Sequence, residues 1–172
     1  DAQLYFELCA ARKKAYSILQ DDTKPLPDRL CDLLDLGIGL QAELNSYTEG
    51  DDGIDFFDVF RNPELINPQW QDKVNHHTVK AVETSFSNEN IAMYFVYKYL
   101  LQAVYDSDPL SKIKMAVVGV LVNTYFGESS WTIHLWSKET EHSQYNMDRY
   151  KNLLRTAHCL SASELKKRLN IR

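Results

Sequence analysis

The sequence contains few of the residues that build turn-rich or cross-linked folds. Its 172 residues include only six glycines and five prolines, which argues against a β fold with many tight turns. The three cysteines, Cys9, Cys31 and Cys159, are far apart and show no Cys-x-x-Cys spacing. The sequence therefore predicts neither a disulfide framework nor a zinc site, and a reducing cytoplasm suits it.

Long hydrophobic runs and an excess of positive charge are also absent. The longest apolar runs, residues 91–97 and 115–122, are far shorter than the roughly 20 residues of a transmembrane helix. The sequence also shows no signal-peptide pattern. The formal net charge is −5, from 19 Lys and Arg against 24 Asp and Glu. We therefore expect no membrane or nucleic-acid partner, because nucleic-acid surfaces need clustered basic residues, and a basic protein partner suits this charge better.

The sequence does have enough apolar and aromatic residues, 44% and 12%, to form one core. Apolar residues recur at helical spacing along most of the chain. The pattern predicts an all-α, single-domain, orthogonal or irregular bundle of about seven to eight helices. Its predicted centre is a buried helix over residues 88–105, from Asn88 to Tyr105, in which Lys98 is the one full charge after Ile91.

Capping residues mark the predicted helix boundaries. Asn67-Pro68 and Asp108-Pro109 each combine an N-cap residue with a proline at the first helical position, and Ser161 with Glu164 forms a capping box. Two glycines within the second helix predict a close helix crossing or a bend. The polar stretch over residues 45–53 predicts a loop. The predicted helices cover residues 2–20, 27–44, 54–60, 68–85, 88–105, 109–126, 130–156, whole or broken, and a short segment after Ser161.

Glu139 and His142 form a Glu-x-x-His pair, which on a helix places a carboxylate and an imidazole one turn apart. Di-iron helical bundles use two such pairs together with two further Glu residues. This chain has one pair, so the favoured interpretation is a hydrogen-bonded pair and no metal site. Glu141, His142 and Ser143 are sequence neighbours and cannot converge as a nucleophilic triad on one helix.

The predicted central helix is rich in tyrosine. Such rings can wall a pocket for a lysine or a methyl-bearing cation, although buried tyrosines with a satisfied hydroxyl are the more common case. Asp106 follows this helix as a loop residue that is also a candidate ligand contact. The sequence has no glycine-rich strand-to-helix turn of the kind that holds an adenosyl cofactor.

Two segments carry a family resemblance: E-N-I-A-M-Y-F-V-Y-K-Y-L-L-Q-A-V-Y-D-S-D-P-L-S-K over residues 89–112, and W-S-K-E-T-E-H-S-Q-Y-N over residues 136–146. Together they resemble the C-terminal part of the bacterial flagellin lysine-N-methylases. Shorter pieces agree in order along the chain: I-L-Q-D from residue 18, P-L-P-D-R-L from residue 25, L-Q-A-E-L from residue 40 and Asn-Pro-x-Trp from residue 67.

The resemblance implies transfer of a methyl group from S-adenosylmethionine to lysine side chains of flagellin. Members of that family also carry, upstream of the matching region, a cysteine-rich segment that resembles a metal or iron–sulfur cluster site. The 172 residues lack it. The chain is therefore expected to be the single helical C-terminal domain of a longer protein and to be inactive on its own.

Amine methylation requires an acid that holds the incoming ammonium group, a base or water path for its proton, and in-line approach to the methyl donor. Twelve positions coincide with recurring residues of the family: Glu89, Asn90, Tyr94, Tyr97, Asp106, Lys112, Ser137, Glu139, Glu141, His142, Ser143 and Asn146. From this set the predicted catalytic residues are Glu139, Glu141 and His142. The predicted substrate-binding residues are Tyr94, Tyr97, Asp106 and Asn146.

Two alternatives stay open at the sequence level. One is a non-catalytic structural or protein-binding helical domain, and the other is a metal-carboxylate bundle in which other helices add ligands to Glu139 and His142. A single observation separates the first alternative from the catalytic hypothesis: the acids, His142 and the tyrosines either converge on one concave pocket or are divided between core and surface.

Overall fold

The computed structural model describes residues 1–44, 50 and 53–172. The predicted all-α class is confirmed: within these ranges the secondary structure is helical, and the one β-type contact is an isolated bridge between Gly50 and Ala157. Most of the loop predicted over residues 45–53 lies outside the described residues. The helices are α1 (Ala2–Leu19), α2 (Leu26–Leu44), α3 (Pro68–Asn75), α4 (Phe86–Tyr99), α5 (Ala103–Asp106), α6 (Pro109–Phe126), α7 (Ser130–Glu141), α8 (Gln144–Thr156) and α9 (Ala162–Leu169), with 3-10 turns at Phe56–Phe60, Leu100–Gln102 and His158–Leu160.

Side-chain caps start these helices where the sequence predicts them. Asn67 caps α3 and Asp108 caps α6, each followed by proline, so the missing proline N–H costs no helical hydrogen bond. Ser161 caps α9 by accepting a hydrogen bond from the backbone N–H of Glu164 at 3.2 Å. The Glu164 carboxylate pairs with Lys167 instead of completing the box.

The buried central helix is α6, not the predicted segment from Asn88 to Tyr105. Every residue of α6 is buried. The predicted segment is divided into α4, the 3-10 turn Leu100–Gln102 and α5. Its tyrosines Tyr94, Tyr97 and Tyr105 are 49%, 67% and 89% exposed, so α4 is half-buried and has an aromatic outer face.

Glycines allow α2 and α4 to approach α6 closely, and the predicted close crossing at Gly37 is confirmed. A Cβ at Gly37 would lie 3.0 Å from Leu110 Cδ1, and a Cβ at Gly119 would lie 2.9 Å from Phe95 Cε2. Both distances are shorter than ordinary van der Waals contacts, so the absence of a side chain sets the spacing of these helices.

The helix predicted over residues 68–85 ends at Asn75. Beyond it the backbone N–H of Thr78 donates to the carbonyl of Tyr125 at 2.9 Å. The His77 ring stacks on Phe57 with a centroid distance of 3.5 Å. These tertiary contacts replace the helical hydrogen bonds that would have continued α3.

One hydrophobic cluster contains buried residues from Leu4 in α1 to Leu169 in α9. One part of it is aromatic: Phe60 and Trp70 each pack edge-on against Phe126, at 5.2 and 5.4 Å between centroids. Trp136 joins this group through Phe60 at 6.4 Å. The core thus connects the start of α3, the end of α6 and the middle of α7, where the candidate residues lie.

No helix in the described part of the chain combines the length and the apolar character needed to cross a bilayer.

Candidate functional site

Glu139 is fully buried in α7 and its carboxylate is occupied by the segment before α3. It accepts hydrogen bonds from the backbone N–H groups of Ile66, at 3.2 Å, and Asn67, and from the side chain of Asn62 at 3.4 Å. A buried carboxylate with several such donors is satisfied by the protein itself. Glu139 therefore anchors the loop before α3 to α7.

Asn146 anchors the same loop to α8. Its Nδ2 donates to the carbonyls of Glu64 at 2.7 Å and Glu139 at 2.9 Å, and its Oδ1 accepts from the Glu64 N–H at 3.2 Å. The hydroxyl of Ser143 donates to the Glu64 carboxylate and caps α8 by accepting from the Asn146 N–H. Three polar residues of the 136–146 motif thus anchor one surface segment to the α7–α8 corner.

His142 lies outside this buried network. It is the exposed C-cap residue of α7, and its backbone N–H donates to the carbonyl of Lys138 at 3.1 Å. The Glu-x-x-His pair therefore divides, with the carboxylate of Glu139 in the core and the imidazole of His142 at the surface. Across the described chain no three His, Cys, Asp or Glu residues are grouped so as to hold a metal ion.

Glu141 forms a second polar network on the surface between α4 and α7. Its carboxylate accepts from the ammonium group of Lys98, from the hydroxyl of Tyr99 and, at 2.9 Å, from the hydroxyl of Ser137. The Lys98 Nζ lies 5.5 Å from the ring centroid of Tyr94 and 5.3 Å from that of Tyr99. An acid and two aromatic faces therefore surround one lysine head group.

The pKa values in this network follow from the same contacts. Partial burial alone would raise the pKa of Glu141, but the hydrogen bonds from Lys98, Tyr99 and Ser137 outweigh burial and lower it. Burial alone would lower the pKa of Lys98, yet its hydrogen bonds to Glu141 and Tyr94 raise it. Burial and the nearby carboxylate raise the pKa of Tyr99. The stable state is therefore an ammonium–carboxylate pair beside a neutral phenol.

An apolar groove of about 400 Å³ runs between α4 and α7 and continues from this network. Tyr94 belongs to both, because its ring lines the groove and also faces the Lys98 ammonium. Phe86 at the other end is 81% exposed. The groove is lined by Phe86, Ser87, Asn90, Ile91, Tyr94, Phe95, Ser130 and Ile133. We call it the α4–α7 groove.

The other predicted substrate-binding residues lie elsewhere. Tyr97 lies one turn along α4 from Tyr94 and does not line the groove, and the guanidinium carbon of Arg12 in α1 lies 5.8 Å from its ring centroid. Asp106 ends α5, where its carboxylate pairs with Lys112. The seven predicted site residues are thus divided: Glu139 and Asn146 form a buried anchor for the segment before α3, whereas His142, Tyr97 and Asp106 lie at three separate positions. Glu141 and Tyr94 are the two that meet at the surface network.

The sequence did not identify the groove residues Phe86 and Ile133. Phe86, Asn90 and Tyr94 recur every four residues, which places them on one face of α4, but the helix was predicted to be buried on all sides. Ile133 lies outside the 136–146 motif. Aromatic and uncharged polar residues that share one face of a helix are the signal that would have identified α4 as a partly exposed helix.

A comparison of the chain with protein-family models, with curated proteins and with solved structures finds no match.

Proposed function

We propose that the chain is the substrate-recognition domain of a cytoplasmic protein similar to the flagellin lysine-N-methylases, and that it binds flagellin in the α4–α7 groove. The observation that carries this proposal is the continuity of an exposed apolar groove with the Lys98–Glu141 network through the ring of Tyr94. Flagellin is the proposed ligand because residues 89–112 and 136–146 resemble the flagellin lysine-N-methylases, and both segments contribute to this surface.

The network has the chemistry that would recognise a lysine of a partner protein. Glu141 supplies a carboxylate, and Tyr94 and Tyr99 supply aromatic faces, which attract a cation electrostatically. The chain's own Lys98 ammonium occupies this position. Because Lys98 is partly exposed, a lysine of the partner can exchange with it while apolar side chains of the partner fill the groove.

The geometry supports recognition more than methyl transfer. Glu139, a predicted catalytic residue, has its carboxylate engaged by loop donors, and His142 caps a helix at the surface. The Lys98–Glu141 pair favours a protonated amine, whereas methylation requires a neutral one. In this proposal S-adenosylmethionine and the methyl-transfer residues belong to another part of the protein.

A second candidate function, a structural domain that binds no partner, is favoured by the roles of Glu139, Ser143 and Asn146 in anchoring one loop. The two functions differ at the groove. A purely structural domain gives no reason for an aromatic residue as exposed as Phe86 beside Tyr94 and Ile133, since contiguous exposed apolar surface marks binding sites.

The test is calorimetric titration of the chain with monomeric flagellin and, separately, with S-adenosylmethionine. We expect flagellin to bind and the cofactor to give no heat of binding. Tyr94→Ala and Ile133→Asp should each weaken flagellin binding by roughly tenfold or more, because buried aromatic and apolar anchors dominate interfaces. Tyr105→Ala is the matched control, because Tyr105 is 89% exposed and does not line the groove.

Equal affinity of wild type, Tyr94→Ala and Ile133→Asp would overturn the groove as the binding surface. Failure of the wild-type chain to bind flagellin would overturn recognition and leave the structural function. Binding of S-adenosylmethionine would instead place the methyl-donor site within these helices.

A further inference from the structure

A second concave site lies where α5 ends, α6 begins and α8 passes alongside them. It is a pocket of about 210 Å³, large enough for a small molecule and more enclosed than the α4–α7 groove. Its polar lining consists of Asp106, Asp108, Ser111, Lys112, Lys151 and Arg155, together with Asn152. The pocket shares no lining residue with the groove and is independent of the function proposed for it.

The pocket is lined by a buried hydroxyl group, that of Ser111. Ser111 is only 3% exposed, and its Oγ has no hydrogen-bond partner among residues 1–44, 50 and 53–172. Its backbone N–H, in contrast, is capped by the Asp108 carboxylate at 3.1 Å. A buried hydroxyl without a partner is uncommon, because the desolvation of the group is then uncompensated.

The charges of the lining residues indicate the charge of a ligand that would bind beside Ser111. The Asp106 carboxylate pairs with the buried Lys112, and an oxygen of Asp108 lies 3.5 Å from Arg155 Nε. Lys151 makes no ion pair with any residue that the structure describes. Among the described residues that line the pocket, three cations therefore stand beside two carboxylates, in a chain whose formal net charge is −5.

The position in the fold adds to the positive charge at the pocket. The pocket lies at the N-terminus of α6, an 18-residue helix, and the helix dipole places partial positive charge there. Helix N-termini commonly bind phosphate and carboxylate groups for this reason. The unpartnered Ser111 hydroxyl, itself on the first turn of α6, provides an oriented donor that a helix end alone does not have.

We propose that this pocket binds a small molecule through a singly charged oxyanion, a phosphate or a carboxylate group. The Ser111 hydroxyl donates a hydrogen bond to an oxyanion oxygen, and the Lys151 ammonium balances its charge. The two carboxylates, each held beside a cation, limit the site to one negative charge, since a second would meet them without a counter-charge.

The experiment uses the whole 172-residue chain labelled with ¹⁵N and followed by heteronuclear NMR. Sodium phosphate at pH 6, where it is mainly the monoanion, and sodium acetate are titrated separately, with sodium chloride keeping the ionic strength constant. We expect saturable shifts at the backbone amides of Ser111, Lys112, Lys151 and Asn152. Saturation by phosphate alone assigns a phosphate ligand, and saturation by acetate alone assigns a carboxylate.

Variants separate this site from general charge effects. Ser111→Ala and Lys151→Gln should each raise the apparent Kd by roughly fivefold or more, the effect of losing one charge-assisted hydrogen bond. Lys13→Gln, which removes one exposed lysine of α1, is the matched control and should change it less than twofold. Ser111→Ala removes an unpartnered hydroxyl in favour of a better helix former, so it stays folded.

The proposal is overturned if neither anion produces saturable shifts at these amides. It is also overturned if Ser111→Ala and Lys151→Gln both bind the anions as the wild type does, because the anions would then be reporting general surface charge.

Discussion

Single residues of the 136–146 motif show how a chemically reactive side chain can have a structural role. Glu139 and Asn146 were predicted to be catalytic and substrate-binding, yet both are buried and bind the segment before α3. Their partners lie more than 70 positions away in the sequence. The sequence therefore identified residues with specific roles but did not show that their hydrogen bonds were already satisfied within the fold.

We predict that Glu139→Gln lowers the free energy of unfolding by about 2–3 kcal/mol, because it removes charge-assisted hydrogen bonds and turns an amide NH₂ toward backbone donors. Glu141→Gln is the matched control. It removes a partly exposed ion pair and should cost less than about 1 kcal/mol.

Urea denaturation of both variants at pH 7 measures the two losses. Equal losses, or a larger loss for Glu141→Gln, would contradict the assignment of Glu139 as the loop anchor. Hydrogen exchange adds a local readout, because the amides of Ile66 and Asn67 donate to the Glu139 carboxylate and should exchange faster in Glu139→Gln alone.

At the scale of elements, the order of helices was predictable and their burial was not. α4 and α6 both have apolar sequences, but α6 is buried at every residue, and α4 presents Tyr94 and Tyr97 to the surface. Tyrosine fits either environment because it has an apolar ring and a polar hydroxyl. Only the packing of α2, α4, α7 and α8 around α6 determines which helix becomes central.

The α2 and α4 contacts with α6 give a prediction at this scale. Gly119→Ala should lower the free energy of unfolding by about 1–3 kcal/mol through overpacking, because its Cβ would lie 2.9 Å from the Phe95 ring and 3.3 Å from Ile91 Cγ2. Gly39→Ala should raise it by up to about 1 kcal/mol, the difference in helix propensity, since no atom lies within 4 Å of its Cβ position.

Thermal unfolding of the two glycine variants, followed by circular dichroism, measures both changes. The opposite signs are the essential result, since both substitutions are identical in chemistry and both lie within helices. If Gly119→Ala also raised the melting temperature, the close approach of α4 to α6 at Phe95 would be wrong.

For the whole molecule, the sequence predicted the all-α class because its signals are local. The caps at Asn67, Asp108 and Ser161 lie within four residues of the groups they bind. The helix expected to end near Ser85 shows the limit of local reasoning, because the contact of Thr78 with Tyr125 ends it. The site was less predictable, since the groove and the network arise where α4 and α7, distant in sequence, come together.

The continuous core gives the last prediction: the chain should unfold as one cooperative unit. Trp70 and Trp136 are buried in the aromatic part of the core, so their fluorescence reports α3 and α7, whereas far-ultraviolet circular dichroism reports all the helices. Because one cluster contains residues from α1 to α9, both probes should give the same urea midpoint. Trp131→Phe removes the remaining tryptophan, which is half-exposed, and should leave that midpoint unchanged. A fluorescence transition that precedes the loss of helix would instead show that the α3–α7 side, and with it the α4–α7 groove, opens separately from the helices around α6.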